Sequence, residues 1–166
     1  MIRSAKESDV PQMISLDNCA MVNEVELFKT QLSLKDLETE FLKMDQVEIP
    51  VTHTFSGGVY IREISVPKGT IIIGKRHRHE SCNVLMKGVL TLYMGENEPT
   101  VTIEGPLLFT SPPGTKKMAY CHEDVVFLNI HPTNETDLEK IEKEFIIPEE
   151  EYLLQESTKI LELEEK

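Results

Sequence analysis

The sequence predicts a mainly β protein, one sandwich or barrel of short strands with a helix before it and helices after it. Three observations carry this. Between residues 47 and 131 the chain is a series of short runs rich in Val, Ile, Thr and aromatic residues, which suits half-buried strands. Turn-like breaks separate them: Ser56-Gly57-Gly58, Pro67-Lys68-Gly69, Gly105-Pro106, Pro112-Pro113-Gly114 and His122-Glu123-Asp124. The flanks lack this texture, and their apolar residues recur at helical spacing. Many short strands without intervening helices exclude a parallel sheet with crossover helices. At 166 residues the chain is one domain with a core of its own.

Taken in order, residues 1–46 form an N-terminal extension with one amphipathic helix, 47–131 the β unit and 132–166 an acidic helical tail. Residues 1–26 are weakly patterned. The helix runs over about 33–44: Ser33 caps it, Asp36 takes the reciprocal position, and Leu34, Leu37, Phe41 and Met44 share one face. Lys35, Glu38 and Lys43 face water, so this helix packs on the outside of a sheet. Strands are expected at 51–55, 59–66, 70–75, 82–87, 89–94, 100–104, 107–110, 117–121 and 125–130. After Pro132, Thr133 or Asn134 caps a helix whose apolar face is Leu138, Ile141 and Phe145. Pro148 suits the first turn of a last helix over 149–155, and residues 162–166 fray.

The net charge of -12 is uneven. Residues 1–50 carry 5 basic and 10 acidic groups, 51–131 carry 8 and 7, and 132–166 carry 4 and 12. The acid belongs to the flanks, whose runs at 149–151 and 162–165 read as solvated faces. Such acidity argues against nucleic acid as a partner, since phosphate contacts need a basic face. No apolar run is long enough for a membrane span, and the first residues lack a signal peptide's apolar stretch, so the cytoplasm is the expected compartment. Cys19, Cys82 and Cys121 are odd in number and widely spaced, which fits free thiols. The β region holds no nucleophile elbow, phosphate-cradling loop or pair of acid/base carboxylates.

The candidate site is the stretch from Gly74 to Gly88. Alternation along a strand places His77 and His79 on one face with Lys75, and Arg76 and Arg78 on the other. Ser81, Asn83 and Leu85 continue the histidine face. His53 reads as peripheral, His131 as the end of the last strand, and Tyr60, Tyr93 and Phe109 as core or rim.

These residues resemble the cupin superfamily of small jelly-roll barrels. The family's first motif places Gly before His-x-His, then Glu, then Gly; here stand Gly69 or Gly74, His77-Arg78-His79 and Gly88. Its second motif, Pro-x-Gly, two residues, then His, is matched by Pro112-Pro113-Gly114-Thr115-Lys116-Lys117. The resemblance covers about half of the chain and implies a single cupin-type jelly-roll barrel with an N-terminal helix and C-terminal helices. It also implies edge-to-edge homodimers and, in many members, a metal held by His, His, Glu and His. Two departures bear on that metal: Ser81 or Asn83 stands for the Glu, and Lys117 for the last His. The leading helix and acidic tail are similar to those of uncharacterised cupin-like proteins encoded by bacteriophages, which would mean host cytoplasm. Separately, residues 2–5 and 9–13 are similar to the first strand and helix of GNAT-type N-acetyltransferases, without their Gly-rich pyrophosphate loop downstream.

Three functional readings stand side by side. In the first, Lys75, His77, His79 and Lys117 converge on a small polar or anionic molecule, with Asn83 and Tyr120 as hydrogen-bonding groups. In the second, His77, His79 and His122 hold a divalent metal (Fe, Mn, Ni or Zn) for oxygen chemistry or hydrolysis. In the third, the pocket is vestigial and the acidic helices meet a partner.

Overall fold

The computed structural model describes residues 12–15, 33–43, 46–95 and 98–164. Residues 2–11 of the acetyltransferase-like pattern, Cys19 and Met44 lie outside them. In chain order the elements are β1 (Gln12–Ser15), α1 (Leu34–Phe41), β2 (Val51–Ser56), β3 (Val59–Val66) and β4 (Thr70–Ile73). Then come β5 (Arg76–His77), β6 (Ser81–Lys87), β7 (Val89–Tyr93), β8 (Val101–Glu104) and β9 (Leu107–Ser111). The chain ends with β10 (Met118–Cys121), β11 (Val125–His131), α2 (Leu138–Phe145), β12 (Ile146–Ile147) and α3 (Glu149–Glu164).

Two five-stranded antiparallel sheets carry the fold, ordered β1-β4-β10-β7-β8 and β2-β3-β11-β6-β9. Pairing is nested: β3 lies beside β11, β4 beside β10, β6 beside β9 and β7 beside β8. The chain thus folds back on itself like a hairpin wrapped into two layers. That nesting is a jelly roll.

Alternation explains the core. Ile64, Val66, Leu85 and Val125 from one sheet meet Ile72, Leu90, Leu92, Ala119 and Cys121 from the other. Strand β4 is buried at all four residues because its two faces are both covered. Ile72 joins the inter-sheet core, while Ile71 and Ile73 join Tyr93 and Met118 beneath Leu37 and Phe41 of α1. Ser33 caps α1: its hydroxyl accepts from the Asp36 amide at 3.2 Å and donates to the Asp36 carboxylate at 2.7 Å. The β6–β7 turn needs Gly88, at φ +94°, where a Cβ would lie 2.6 Å from the Asp124 carbonyl oxygen.

The structure corrects the flanks. Gln12–Ser15 is a strand on β4, not the start of a helix. Asp137, not Thr133 or Asn134, caps α2, accepting from the amides of Glu139 at 2.9 Å and Lys140 at 3.3 Å. Residues 149–164 are one helix because no Pro or Gly interrupts them. The 70–75 strand divides: β4 stops at Ile73, and Arg76–His77 pair instead with Ile147 and Ile146 of β12.

Glu149 and Glu151, expected on a solvated face, are the counterparts of the basic cluster; the side chains of the 162–165 run lie outside the described residues. Arg78 makes a two-pronged pair with Glu151 at 2.6 and 2.7 Å. Arg76 reaches Glu149 at 3.2 Å, the Gly114 carbonyl at 2.6 Å, and the Tyr152 ring, 3.8 Å from its centroid. Buried Lys116 joins α1 to α3 by donating to Glu38 and, at 3.2 Å, to Glu149. No described helix is long and apolar enough to cross a membrane.

Candidate functional site

Register across the β2-β3-β11-β6-β9 sheet stacks the inward residues in rungs. The deep rung is apolar: Val51, Ile64, Phe127 and Leu85 stand in line. One step along, the rung is polar: His53, Arg62, Asn129, Asn83 and Phe109. One step further stand Tyr60 and His131. Ile72, Leu90, Leu92 and Ala119 of the opposing sheet complete the apolar end. The result is a cavity of about 170 Å³ between the sheets, polar at one end. An engineered apolar cavity of about 150 Å³ takes benzene, so this one suits about six to eight non-hydrogen atoms.

Helix α2 covers the polar end. Ile141 and Phe145 form a buried cluster with Tyr60, and Leu138 packs against it. Lys75 and Glu142 pair at 2.6 Å on the cavity wall. Helix α2 therefore caps the lumen instead of packing on the outer face of a sheet. His77 is pinned beside it by pairing with Ile146 and by its carbonyl, which accepts from the Gly114 amide at 2.8 Å.

Lys117 is the unusual group here. Its ammonium donates to the Ser111 hydroxyl and sits 5.4 Å from the Phe109 ring centroid. Among the described residues no carboxylate pairs with it. Burial alone pulls its pKa down to about 8. Asn83 supports the same corner: its amide donates to Ser111 Oγ at 2.9 Å and to the Ser81 carbonyl at 3.0 Å, and it accepts from Asn129 at 2.8 Å.

The imidazoles form an aromatic ladder. His131 stacks on Tyr60 at 5.7 Å, lies 4.6 Å from Phe145 and 5.3 Å from His77. Both His77 and His131 are pushed down to about 4, first by burial. Charge adds to this: His131, Lys117 and Arg62 act on His77, and Arg62 acts on His131. They are neutral at physiological pH. His53 Nδ1 lies 2.7 Å from the Tyr60 hydroxyl. Among the described residues, His53 Nε2 and His77 Nδ1 are buried without a hydrogen-bond partner.

Of the sequence-derived set, Lys75, His77, Asn83 and Lys117 meet at this cavity. His79 does not: the chain bends at Arg78–His79, alternation is interrupted, and the His79 ring lies exposed with its edge on Phe145. Tyr120 and His122 project from the other face of β10. Tyr120 packs against the α1 cluster, while His122 Nε2 lies 2.6 Å from Thr91 Oγ1 and its ring stands edge-on to Tyr120. His77, His79 and His122 are thus not brought together. Sequence reasoning missed Arg62, His131, Asn129 and Ser111, and His53 lines the cavity rather than the periphery. Parity held the signal for Arg62, a charge between inward Tyr60 and Ile64.

The donor set does not fit a resident divalent cation. The carboxylate that lines the cavity with His77 and His131, Glu142, is taken by Lys75, while Lys117 and Arg62 set positive charge against the same space. Among the described residues no group of three or more His, Cys, Asp or Glu is arranged to hold a metal.

No family model matches the chain, and no curated protein does. Solved structures do. One is a cupin-2 domain containing protein from Shewanella frigidimarina, 13% identical, over 58% of this chain and 92% of that one, with a TM-score of 0.41. Another is an acetylacetone dioxygenase from Acinetobacter johnsonii, 17% identical over 51% and 59%, with a TM-score of 0.43. A third is an RmlC-like cupin family protein with a double-stranded β-helix fold from Methanocaldococcus jannaschii, 17% identical over 51% and 80%, with a TM-score of 0.43. The jelly-roll assignment itself rests on the nested strand order above.

Proposed function

We propose that the protein binds a small organic anion in the lumen of its jelly roll. One observation carries the reading: Lys117, a half-buried cation without a carboxylate partner among the described residues, sits where an apolar chamber turns polar. An unpaired buried charge is costly, and an incoming anion offsets that cost. Arg62 adds a second positive charge to the wall, and the one carboxylate lining it among the described residues, Glu142, is engaged by Lys75. The apolar rung below accepts a short alkyl or aryl group. Asn83, Asn129 and Ser81 supply hydrogen bonds that orient the head. The ligand is therefore a carboxylate of about six to eight non-hydrogen atoms with one apolar end. The likeness to phage-encoded proteins adds no activity to this reading.

Thermal denaturation against short-chain and aromatic carboxylates is the test. A bound acid raises the melting temperature of the wild type, and Lys117→Met abolishes the rise while leaving a folded protein. An equal rise in Lys117→Met, or no rise with any acid of this size, refutes the reading.

A further inference from the structure

We infer that Lys117 captures a carbonyl: the lumen takes a small 2-oxo acid, and the Lys117 amine forms a reversible imine with its keto carbon. The inference rests on the anion-binding reading of the same lumen and goes one step further, from the charge of Lys117 to its nucleophilicity.

Four features converge. Lys117 lines the lumen half-buried beside the Phe109 ring, with no carboxylate paired to it among the described residues, the setting in which a lysine amine is freed of its proton and of competing ion pairs. Its lowered pKa, about 8, leaves about a tenth of it as free amine at pH 7. His77 lines the same lumen, is neutral at that pH, and its buried Nδ1 has no partner among the described residues, so it adds no second positive charge there and leaves a ring nitrogen to hydrogen-bond the carbinolamine hydroxyl. Arg62 supplies the charge for a carboxylate adjacent to the reacting carbon, and Ile64, Ile72, Leu90 and Leu92 suit a short alkyl chain.

The chemistry balances without a co-reactant. The amine lone pair adds to the keto carbon, a C–N bond forms, and the C=O π pair takes up a proton to give a carbinolamine. Loss of its hydroxyl as water leaves the protonated imine. One ammonium and one ketone thus become one iminium ion and one water, and hydrolysis reverses the step.

The experiment treats the full-length protein with 2-oxobutanoate and cyanoborohydride, which delivers hydride to the iminium and fixes it as a secondary amine. Label is then located by peptide mass mapping. Label at Lys117 should exceed that at any other lysine about tenfold, because Lys116, the more buried neighbour, is held as an ammonium by Glu38 and Glu149, while Lys117 lines the lumen without a carboxylate among the described residues. Excess 2-hydroxybutanoate, which has the shape and charge but no carbonyl, should suppress it. Lys117→Arg should lose the label yet still be stabilised by 2-hydroxybutanoate. Stabilisation by 2-hydroxybutanoate with label spread evenly over surface lysines would overturn the inference while the binding reading stands. Neither label nor stabilisation would overturn both. The competition on wild type decides the matter even where Lys117→Arg does not fold.

Discussion

Lys117 shows how one residue sets stability against function. Holding an ammonium against Phe109 and Ser111 disfavours its charged form, as the drop of its pKa from 10.5 to about 8 records. Replacing it by Met keeps the volume and removes the charge. Lys117→Met should therefore be more stable than wild type by about 1–2 kcal/mol in urea denaturation at pH 7. A less stable variant would mean that the charge has a partner in the native protein. The two buried imidazoles act through pH. Both are depressed from 6.5 to about 4, so the fold refuses protons that the unfolded chain accepts. Their contribution is fully present above pH 6.5 and is lost as pH falls toward 4, by about 3 kcal/mol for one ring at pH 4. His131→Phe should flatten the decline in unfolding free energy between pH 6.5 and 4.5, and an unchanged slope would count against a buried neutral ring.

Among the elements, α2 matters most because it is both lid and part of the core. Its sequence looks like that of any amphipathic surface helix: Leu138, Ile141 and Phe145 on one side, Glu and Lys on the other. Yet its apolar side rests on Tyr60 and His131 at the polar end of the lumen. Phe145→Ala should cost about 3–4 kcal/mol in urea denaturation. The same variant opens the mouth, so carboxylate release should also accelerate, measurable by stopped-flow competition. A loss below about 1 kcal/mol would mean that α2 is only loosely docked. The helix is held in register at the wall of the lumen by the Lys75–Glu142 pair, and its C-terminal carbonyl accepts from the Arg78 amide at 2.8 Å. Helix α3 adds Glu149 and Glu151, which neutralise Arg76, Lys116 and Arg78. Arg76 and Arg78, on the face away from His77 by alternation, thus tether the tail.

For the whole molecule, the edge-to-edge homodimer implied by the resemblance is carried forward as a proposal. Light scattering should give twice the 19.0 kDa chain mass, and a mass equal to one chain would remove it. At this scale the strands were legible from the sequence. β-branched runs between Gly and Pro breaks named β2–β4 and β6–β11 to within a residue or two, because half-buried strands impose a period of two on local composition. Helix α1, with its Ser33 cap, was legible for the same reason at a period of 3.6. The two-residue strands β5 and β12 were not, since neither is long enough to show a period and each exists only because the other is beside it.

The sequence by itself determined the β class, the order of its strands, the inward facing of His77, Asn83 and Lys117, and the placing of acid on the flanks, all of which follow from local periodicity. Only the tertiary structure decided which inward residues share a rung, that His131 and Arg62 join His77 and Lys117, that His79 turns out to solvent at a bend, and that α2 closes the lumen. Those outcomes depend on register between strands far apart in the chain and on packing at the end of the sandwich. A window of neighbouring residues carries no record of either.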